Sequence, residues 1–423
     1  MNLTQFIKDF IKRKGISVGF ASAIEKIGGL LLVLIATHLI PKEEFGLITY
    51  ANTALLFLIP FVGFGIHQGL IRYGALTGSQ IVKKQLFFIT LKKGILFSII
   101  LTIAIVVLAP LITYNLKESQ LYLLILSVQL VSLFIFEMIR IYARLINLNK
   151  LFAQMGIVKV ILMVSLAFFL TLGYSGIGYA ISLAFTPLIV SLYYLFKLKL
   201  FPVKINDVPQ FNFKEYLNYG LFTSLAGVLS QFLYAIDLLL IGNLLHEEAV
   251  AKYRVAFVLP LSILFLPIVF IQTDFVKIAS KSETDKSFIK NYYLNYLKIF
   301  SIISVLTVLV FFFFSYYIML LFGKEYNDES NLMFIFSLGI MGALLFRVPL
   351  GNILSAVGWP KINALNSLIV LIFNVIFSYI FIKKDGIIGA AYVTSAMLWF
   401  SGILSLLAFI FYLKSEVKKT DDS

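Results

Sequence analysis

The sequence predicts an all-α polytopic membrane protein: twelve transmembrane helices in two pseudo-symmetric six-helix lobes around a central cavity. Three observations predict it. The 423 residues are 60% hydrophobic and only 13% charged, with a mean hydropathy of +0.97, more apolar than a soluble chain of this length tolerates. Twelve apolar runs are each long enough to cross a bilayer, which takes about 20 helical residues. Lysine and arginine concentrate in alternate segments between those runs.

The runs, numbered here as spans 1 to 12, cover residues 15–40, 46–66, 94–114, 121–138, 152–173, 176–195, 218–245, 253–272, 299–322, 332–351, 362–382 and 387–413. In hydrocarbon every backbone N–H and C=O must be bonded within the protein, and these runs are too long and uniformly apolar for barrel strands, so they are helices. The 42 phenylalanines and 22 tyrosines suit a bilayer core and its interface belts. The opening MNLTQFIKDFIKRKG is basic and amphipathic and runs on into span 1 without an obvious cleavage site. It reads as part of a first span rather than a removed signal peptide.

Of the 35 lysines and arginines, 25 fall on one side of the predicted membrane and 7 on the other, with Lys26, Lys159 and Arg347 inside spans. The positive-inside rule then puts both termini in the cytoplasm, as an even number of spans requires. The outer turns are short: PKEEFG, NLKESQ, YS, HEEAVAK, GKEYNDESN and KKDG. They leave no room for an extracytoplasmic domain.

The two halves echo one another. LIPKEEFGLI (39–48) corresponds to LLHEEAVAKY (244–253), and YSGIGYAISLA (174–184) to KDGIIGAAYVTSA (384–396). Pro60 in span 2 is answered by Pro260 and Pro267 in span 8, and RLINLNKLFAQ (144–154) by NILSAVGWPKI (352–362). A duplication of six spans follows, giving parallel repeats with a substrate path between them. The expected division is an N-terminal lobe 1–195, a cytoplasmic linker 196–217, a C-terminal lobe 218–413 and a cytoplasmic tail 414–423.

Charge inside a membrane costs about 2.5–3.5 kcal/mol on insertion scales, so it marks candidate sites. Span 1 carries adjacent opposite charges, Glu25 and Lys26, in GFASAIEKIGGLLLVLIATHLI. Helical neighbours point about 100° apart, so each needs its own partner. Lys26 is a candidate contact for an anionic passenger. Glu25 is either an ion-pair partner for a group such as Lys159, or a coupling-ion site. Asp237 in span 7 has the same two readings, coupling site or counter-ion to Arg254. Glu137, Arg140 and Arg144 lie on one face at the cytoplasmic end of span 4, as an internal salt bridge or as a rim that receives phosphate through guanidinium forks. Arg72, Lys159 and Arg347 divide the same way, between surface snorkelling and a cavity role. Pro60, Pro187, Pro260, Pro267 and Pro349 interrupt spans and permit bends. The segment 281–298 reads as a basic amphipathic stretch along the cytoplasmic interface.

The chain has no cysteine, its three histidines are scattered, and no Walker-type loop, nucleophile–histidine pair or metal spacing occurs. ATP is therefore not expected as a direct energy source, and no cofactor or metal is expected beyond a coupling proton or sodium ion. The net charge of +14 follows membrane sidedness rather than a nucleic-acid face.

The turn LIPKEEFGLITYA, a Gly/Pro-bearing span 2 ending LIRYGA, Tyr-Arg at the start of span 8, and GWPKINALNSLIVLIFN with DGIIGAA and a short basic tail together resemble the Wzx-type lipid-linked oligosaccharide flippases of the multidrug/oligosaccharidyl-lipid/polysaccharide (MOP) exporter superfamily. The resemblance covers nearly the whole chain and rests on layout and small motifs. It implies a MATE-like fold that moves an undecaprenyl-pyrophosphate-linked oligosaccharide from the cytoplasmic to the outer leaflet of the bacterial plasma membrane, for O-antigen or capsule synthesis, by alternating access. Lipid II flippases of that superfamily place cavity arginines on helices 1, 2 and 8, which here correspond to Lys26, Arg72 and Arg254. Lysine on span 1 is a departure, because an ammonium meets phosphate as a point charge and not as a fork. Those flippases also have spans this chain lacks. The partners implied are the lipid-linked saccharide, membrane lipids, and the polymerase and chain-length proteins of the pathway, with a monomeric, non-enzymatic transporter. The alternatives are a cation-coupled multidrug antiporter of the same superfamily, disfavoured by so many cations near the cleft, and a membrane polymerase or glycosyltransferase, disfavoured by the short outer turns.

Overall fold

The computed structural model describes residues 15–67, 70, 79–146, 148–200, 217, 229, 232, 235–281 and 285–415. Among them the regular structure is helical, as the demand for internally bonded backbone requires. Among the described residues, eight segments are long and apolar enough to cross a membrane. Two of these, Lys150–Lys197 and Pro360–Lys414, contain non-helical residues at Tyr174-Ser175 and at Gly386, and each covers two predicted spans. Span 1 is the helix Gly15–Leu39, and the described part of span 7 is Ala235–Leu244.

The chain separates into two units, Leu31–Ala251 and Met1–Leu30 with Lys252–Ser423. The described helix Ala235–Leu244 falls in the first of these units, and the described residues 15–30 in the second.

In the unit Leu31–Ala251, the helix Gln129–Leu145 packs against Gln80–Ile112 and Asn149–Lys197, and Lys42–Leu56 packs against Ser119–Ser127. Span 2 stops being α-helical at Leu56 and continues as a 3₁₀ turn, Ile59–Gly65. Pro60 cannot donate to a preceding carbonyl, and the backbone next turns left-handed at Gly63, Phe64 and Gly65.

In the other unit, Lys286–Leu320 packs against Ser330–Gly342, which in turn packs against Pro360–Lys414, and Phe265–Lys281 packs against Val348–Ala356. Span 8 breaks between Ser262 and Phe265. There the Leu266 N–H closes a tighter bond to Ile263 O at 3.1 Å, while Pro267, one place on, has no proton with which to continue the α ladder. The stretch 286–298 is not a separate interfacial segment: it is the start of the 35-residue helix Lys286–Leu320. Its buried face is Ile289, Tyr292, Tyr293, Asn295 and Tyr296, while Ser287, Lys290, Asn291, Leu294 and Lys298 are exposed, so the stretch is amphipathic as expected.

Those tyrosines meet an irregularity in span 10, whose helix widens to a π-turn over Ala343–Arg347. The Val348 N–H bonds to Ala343 O and leaves the Leu344 carbonyl without its α-helical donor. Pro349 has no N–H for the Leu345 carbonyl. The Tyr296 hydroxyl donates to Leu344 O at 2.7 Å and the Tyr293 hydroxyl to Leu345 O at 3.0 Å. Both carbonyls displaced by the π-turn and the proline are thus satisfied from span 9, as buried backbone oxygens must be.

The two interrupted long helices are hairpins with one geometry. A Cβ built on Gly178 would lie 2.1 Å from Leu170 O, and one on Gly389 2.2 Å from Phe381 O. Eight residues along a straight helix span about 12 Å, so both chains fold back. The turning residues, Ser175 (φ 48°, ψ −136°) and Gly386 (φ 62°, ψ −143°), adopt nearly the same left-handed conformation. Both pairs of equivalent positions are 211 residues apart, within the repeat seen in the sequence.

Candidate functional site

At the arginine-rich end of the unit Leu31–Ala251, charge and aromatic rings converge. The helix Gln129–Leu145 places Glu137, Arg140 and Arg144 on successive turns. Glu137 Oε1 accepts from Arg140 Nη1 at 2.9 Å. The Arg140 guanidinium lies 4.3 Å from the Phe152 ring centroid and 5.5 Å from that of Phe136. Arg144 approaches Phe152 at 5.7 Å, and the Lys159 ammonium approaches Phe136 at 4.9 Å. Lys83 donates to Leu145 O at 2.9 Å, capping the end of the same helix. His67, at the far end of span 2, is within electrostatic range of Glu137. The internal salt bridge, one of the two readings of this region, is present between Glu137 and Arg140. Phe136 is fully buried; it and Phe152 bind the cations through ring faces, an attraction strengthened by partial desolvation.

In the other unit, Glu25 and Lys26 are both exposed on the helix Gly15–Leu39. Lys26 is within electrostatic range of Arg254 as well as Glu25. Arg254 is half-buried, two turns into the helix Glu247–Ser262. Glu25, next to Lys26 in the chain, supplies the opposite charge in this group. Arg347 leaves the π-turn and donates to Ser401 Oγ. Ser401 donates in turn to Asn366 Oδ1 at 3.2 Å, and Asn366 donates to Ser401 O at 3.0 Å and Ser405 Oγ at 2.8 Å. This network ties spans 10, 11 and 12 together.

The predicted site residues therefore fall into two groups, Arg140, Arg144 and Lys159 in one unit, and Lys26, Arg254 and Arg347 in the other. Asp237 is 2% exposed, in the helix Ala235–Leu244. Arg72 lies outside the described residues.

Sequence reasoning passed over two acidic groups. Asp274 is 3% exposed, because span 8 continues as Phe265–Lys281 beyond its predicted end; its position one turn after Phe270 in an unbroken apolar periodicity was the available signal. Glu44 is the second, and in the sequence it is one charge in the turn PKEEFG. It accepts from Tyr122 at 2.5 Å and from Ser175 at 2.7 Å, bringing the turns before spans 2, 4 and 6 to one end of the unit. Lys42 joins Glu248 at 3.0 Å at that end, and the Tyr50 hydroxyl and Asn115 both donate to Asn243 Oδ1. In the other unit, Lys252 lies 3.7 Å from Glu329. Turns assigned to the lysine-poor side are thus together within each unit.

Known proteins share this architecture. The lipid II flippase MurJ in an inward closed conformation matches with a TM-score of 0.72 at 18% identity, over 95% of this chain and 87% of that one. An inward-facing multidrug resistance MATE family transporter of the MOP superfamily matches at 0.70 and 17%, over 94% and 96%. A MOP superfamily transporter from Pyrococcus furiosus matches at 0.62 and 18%, over 97% and 96%. At these identities the likeness is one of fold, and the fold is that of the MOP transporters. In sequence, the capsular polysaccharide biosynthesis protein CapF of Staphylococcus aureus is 33% identical over 95 residues, 22% of this chain and 23% of that protein. This match spans less than a quarter of that relative. The family model described as polysaccharide biosynthesis protein matches residues 35–331, well over half of the chain. The chain belongs to the polysaccharide biosynthesis protein family.

Proposed function

We propose that this protein is a flippase that carries an undecaprenyl-pyrophosphate-linked oligosaccharide repeat unit from the cytoplasmic to the outer leaflet of a bacterial plasma membrane. The observation that carries the reading is the cation–aromatic cluster Arg140–Arg144–Lys159, held against Phe136 and Phe152 at the end where the charge count puts the cytoplasm. Guanidinium groups already seated on rings need little reorganisation to meet phosphate oxygens in bidentate fashion. Lys26 and Arg254, with Glu25 beside them, are proposed to meet the same pyrophosphate later in its passage. The lipid tail stays in the bilayer, and alternating access moves the head group. Membership of the polysaccharide biosynthesis family and the MOP fold both support this reading. Proton or sodium entry through Glu25 or Asp237 is the proposed coupling.

Reconstitution into vesicles tests it. The protein should move undecaprenyl-pyrophosphate-linked oligosaccharide between leaflets, and Lys26→Gln and Arg254→Gln should each slow the movement at least about tenfold, the scale of one lost charged contact. Unchanged rates in both variants would sink the assignment. Asp237→Asn should abolish dependence on an ion gradient; full retention would make Asp237 structural. Proton-driven export of a cationic dye without movement of the lipid-linked saccharide would favour the antiporter alternative.

A further inference from the structure

At the lysine-poor end of the unit Leu31–Ala251, a cavity of about 300 Å³ opens beside the turn between spans 3 and 4. Leu47 and Leu116 give it an apolar floor, and Tyr114, Asn115, Lys117, Glu118 and Glu247 make its polar rim. The neighbouring charges are already committed: Lys42 to Glu248 at 3.0 Å, and Glu44 to Tyr122 and Ser175. Those on the rim are not. Among the described residues, Lys117, Glu118 and Glu247 form no ion pair. Asn115 uses its Nδ2 on Asn243, at 3.0 Å to Oδ1 and 3.3 Å to O, which fixes the side chain and leaves its own oxygen as an acceptor. Tyr114 stands 70% exposed at the mouth.

We infer that this cavity is a saccharide subsite. A pyranose ring has a C–H face that packs on an exposed phenol ring and a periphery of hydroxyls that both donate and accept. The rim supplies complements to each: the Tyr114 ring, carboxylate and amide acceptors in Glu118, Glu247 and Asn115, and an ammonium donor in Lys117. Mixed charge around an apolar floor fits a neutral polyhydroxy ligand better than a lipid tail or a lone ion. The volume is at the small end for ligand pockets, room for a terminal sugar rather than a whole repeat unit. The inference rests on the flippase reading, within which the subsite receives the sugar end of the passenger at the exit face and so discriminates glycosylated from bare lipid carrier.

The test compares two passengers in vesicles containing the full-length protein: undecaprenyl pyrophosphate bearing an oligosaccharide, and undecaprenyl pyrophosphate alone. The double variant Tyr114→Ala, Glu118→Gln changes exposed residues only. It should slow the glycosylated passenger about tenfold, the scale of a lost hydrogen bond and its packing, while the bare carrier moves at the wild-type rate. Equal slowing of both, or of neither, overturns the subsite. If the wild type moves neither passenger, the flippase reading has failed, and the subsite is then judged by saturation-transfer NMR with free N-acetylglucosamine, glucose and glucuronate. Contact signals that vanish in the double variant uphold it. Their absence in the wild type overturns it.

Discussion

Ser175 donates a 2.7 Å hydrogen bond to Glu44, 131 positions earlier in the chain, from a backbone conformation that L-residues avoid. The equivalent turn in the second half has glycine, Gly386, which adopts that conformation freely. Glu44, which also holds Tyr122, offsets the strain that serine incurs. Such strain costs about 1–3 kcal/mol, and a hydrogen bond to a charged group contributes about 1.5–3 kcal/mol. Ser175→Gly should therefore leave thermal stability in detergent nearly unchanged, strain relief offsetting the lost bond. Ser175→Val, which keeps the strain without the bond, should lower it by about 2 kcal/mol or more. Glu44→Ala should do the same; a variant as stable as wild type would refute the offset.

The π-turn depends on its tyrosines. Tyr296→Phe leaves Leu344 O buried with no donor, a loss of about 1–3 kcal/mol, and Tyr293→Phe does the same to Leu345 O. Each should lower the melting temperature. Pro349→Ala restores an N–H to the ladder, so adding it should rescue Tyr293→Phe more than Tyr296→Phe. Equal rescue of both would contradict the assignment of carbonyls to tyrosines.

At the hairpins the two glycines differ in kind. A Cβ on Gly386 meets nothing within 4 Å, so Gly386→Ala adds backbone strain alone, about 1–2 kcal/mol. A Cβ on Gly389 would press on Phe381 O at 2.2 Å. Gly389→Ala should abolish folded protein where Gly386→Ala only weakens it, measured as monodisperse yield after solubilisation. Similar yields would argue against the tight turn.

Arg140→Lys keeps the charge and loses the planar fork and much of the ring contact. It should slow transport of the lipid-linked saccharide about fivefold, a cation–π and bidentate loss of roughly 1 kcal/mol, while Glu137→Gln changes the rate less. A larger effect from Glu137→Gln would mean that the salt bridge, and not the guanidinium's availability to phosphate, is what transport needs.

Much was legible from composition and order alone. The helical class follows from hydrophobicity, because a lipid-embedded backbone has no other partner than itself. Span positions, the lysine-rich and lysine-poor ends, and the repeat between YSGIG and DGIIG are one-dimensional patterns. So is the face shared by Glu137, Arg140 and Arg144, since three- and four-residue steps return to one side of a helix. Pro60 and Pro267 marked real breaks for the same local reason: the missing N–H is written in the sequence.

Partners at long range were not legible. Periodicity tells which face of a helix is polar but not which helix lies opposite. The tyrosines of 292–296 therefore looked like an interfacial stretch until the π-turn supplied the two carbonyls they satisfy. Glu44 looked like a surface charge until the fold set Ser175 and Tyr122 against it. Arg140, Lys159, Phe136 and Phe152 acquired a common meaning only when two helices joined by a short turn packed side by side. By itself the sequence determined the helical class of fold, since this follows from the solvation of each residue. Tertiary structure decided which charges are held by rings, which by hydroxyls and which stand ready around a cavity, because pairing energies depend on distance across helices.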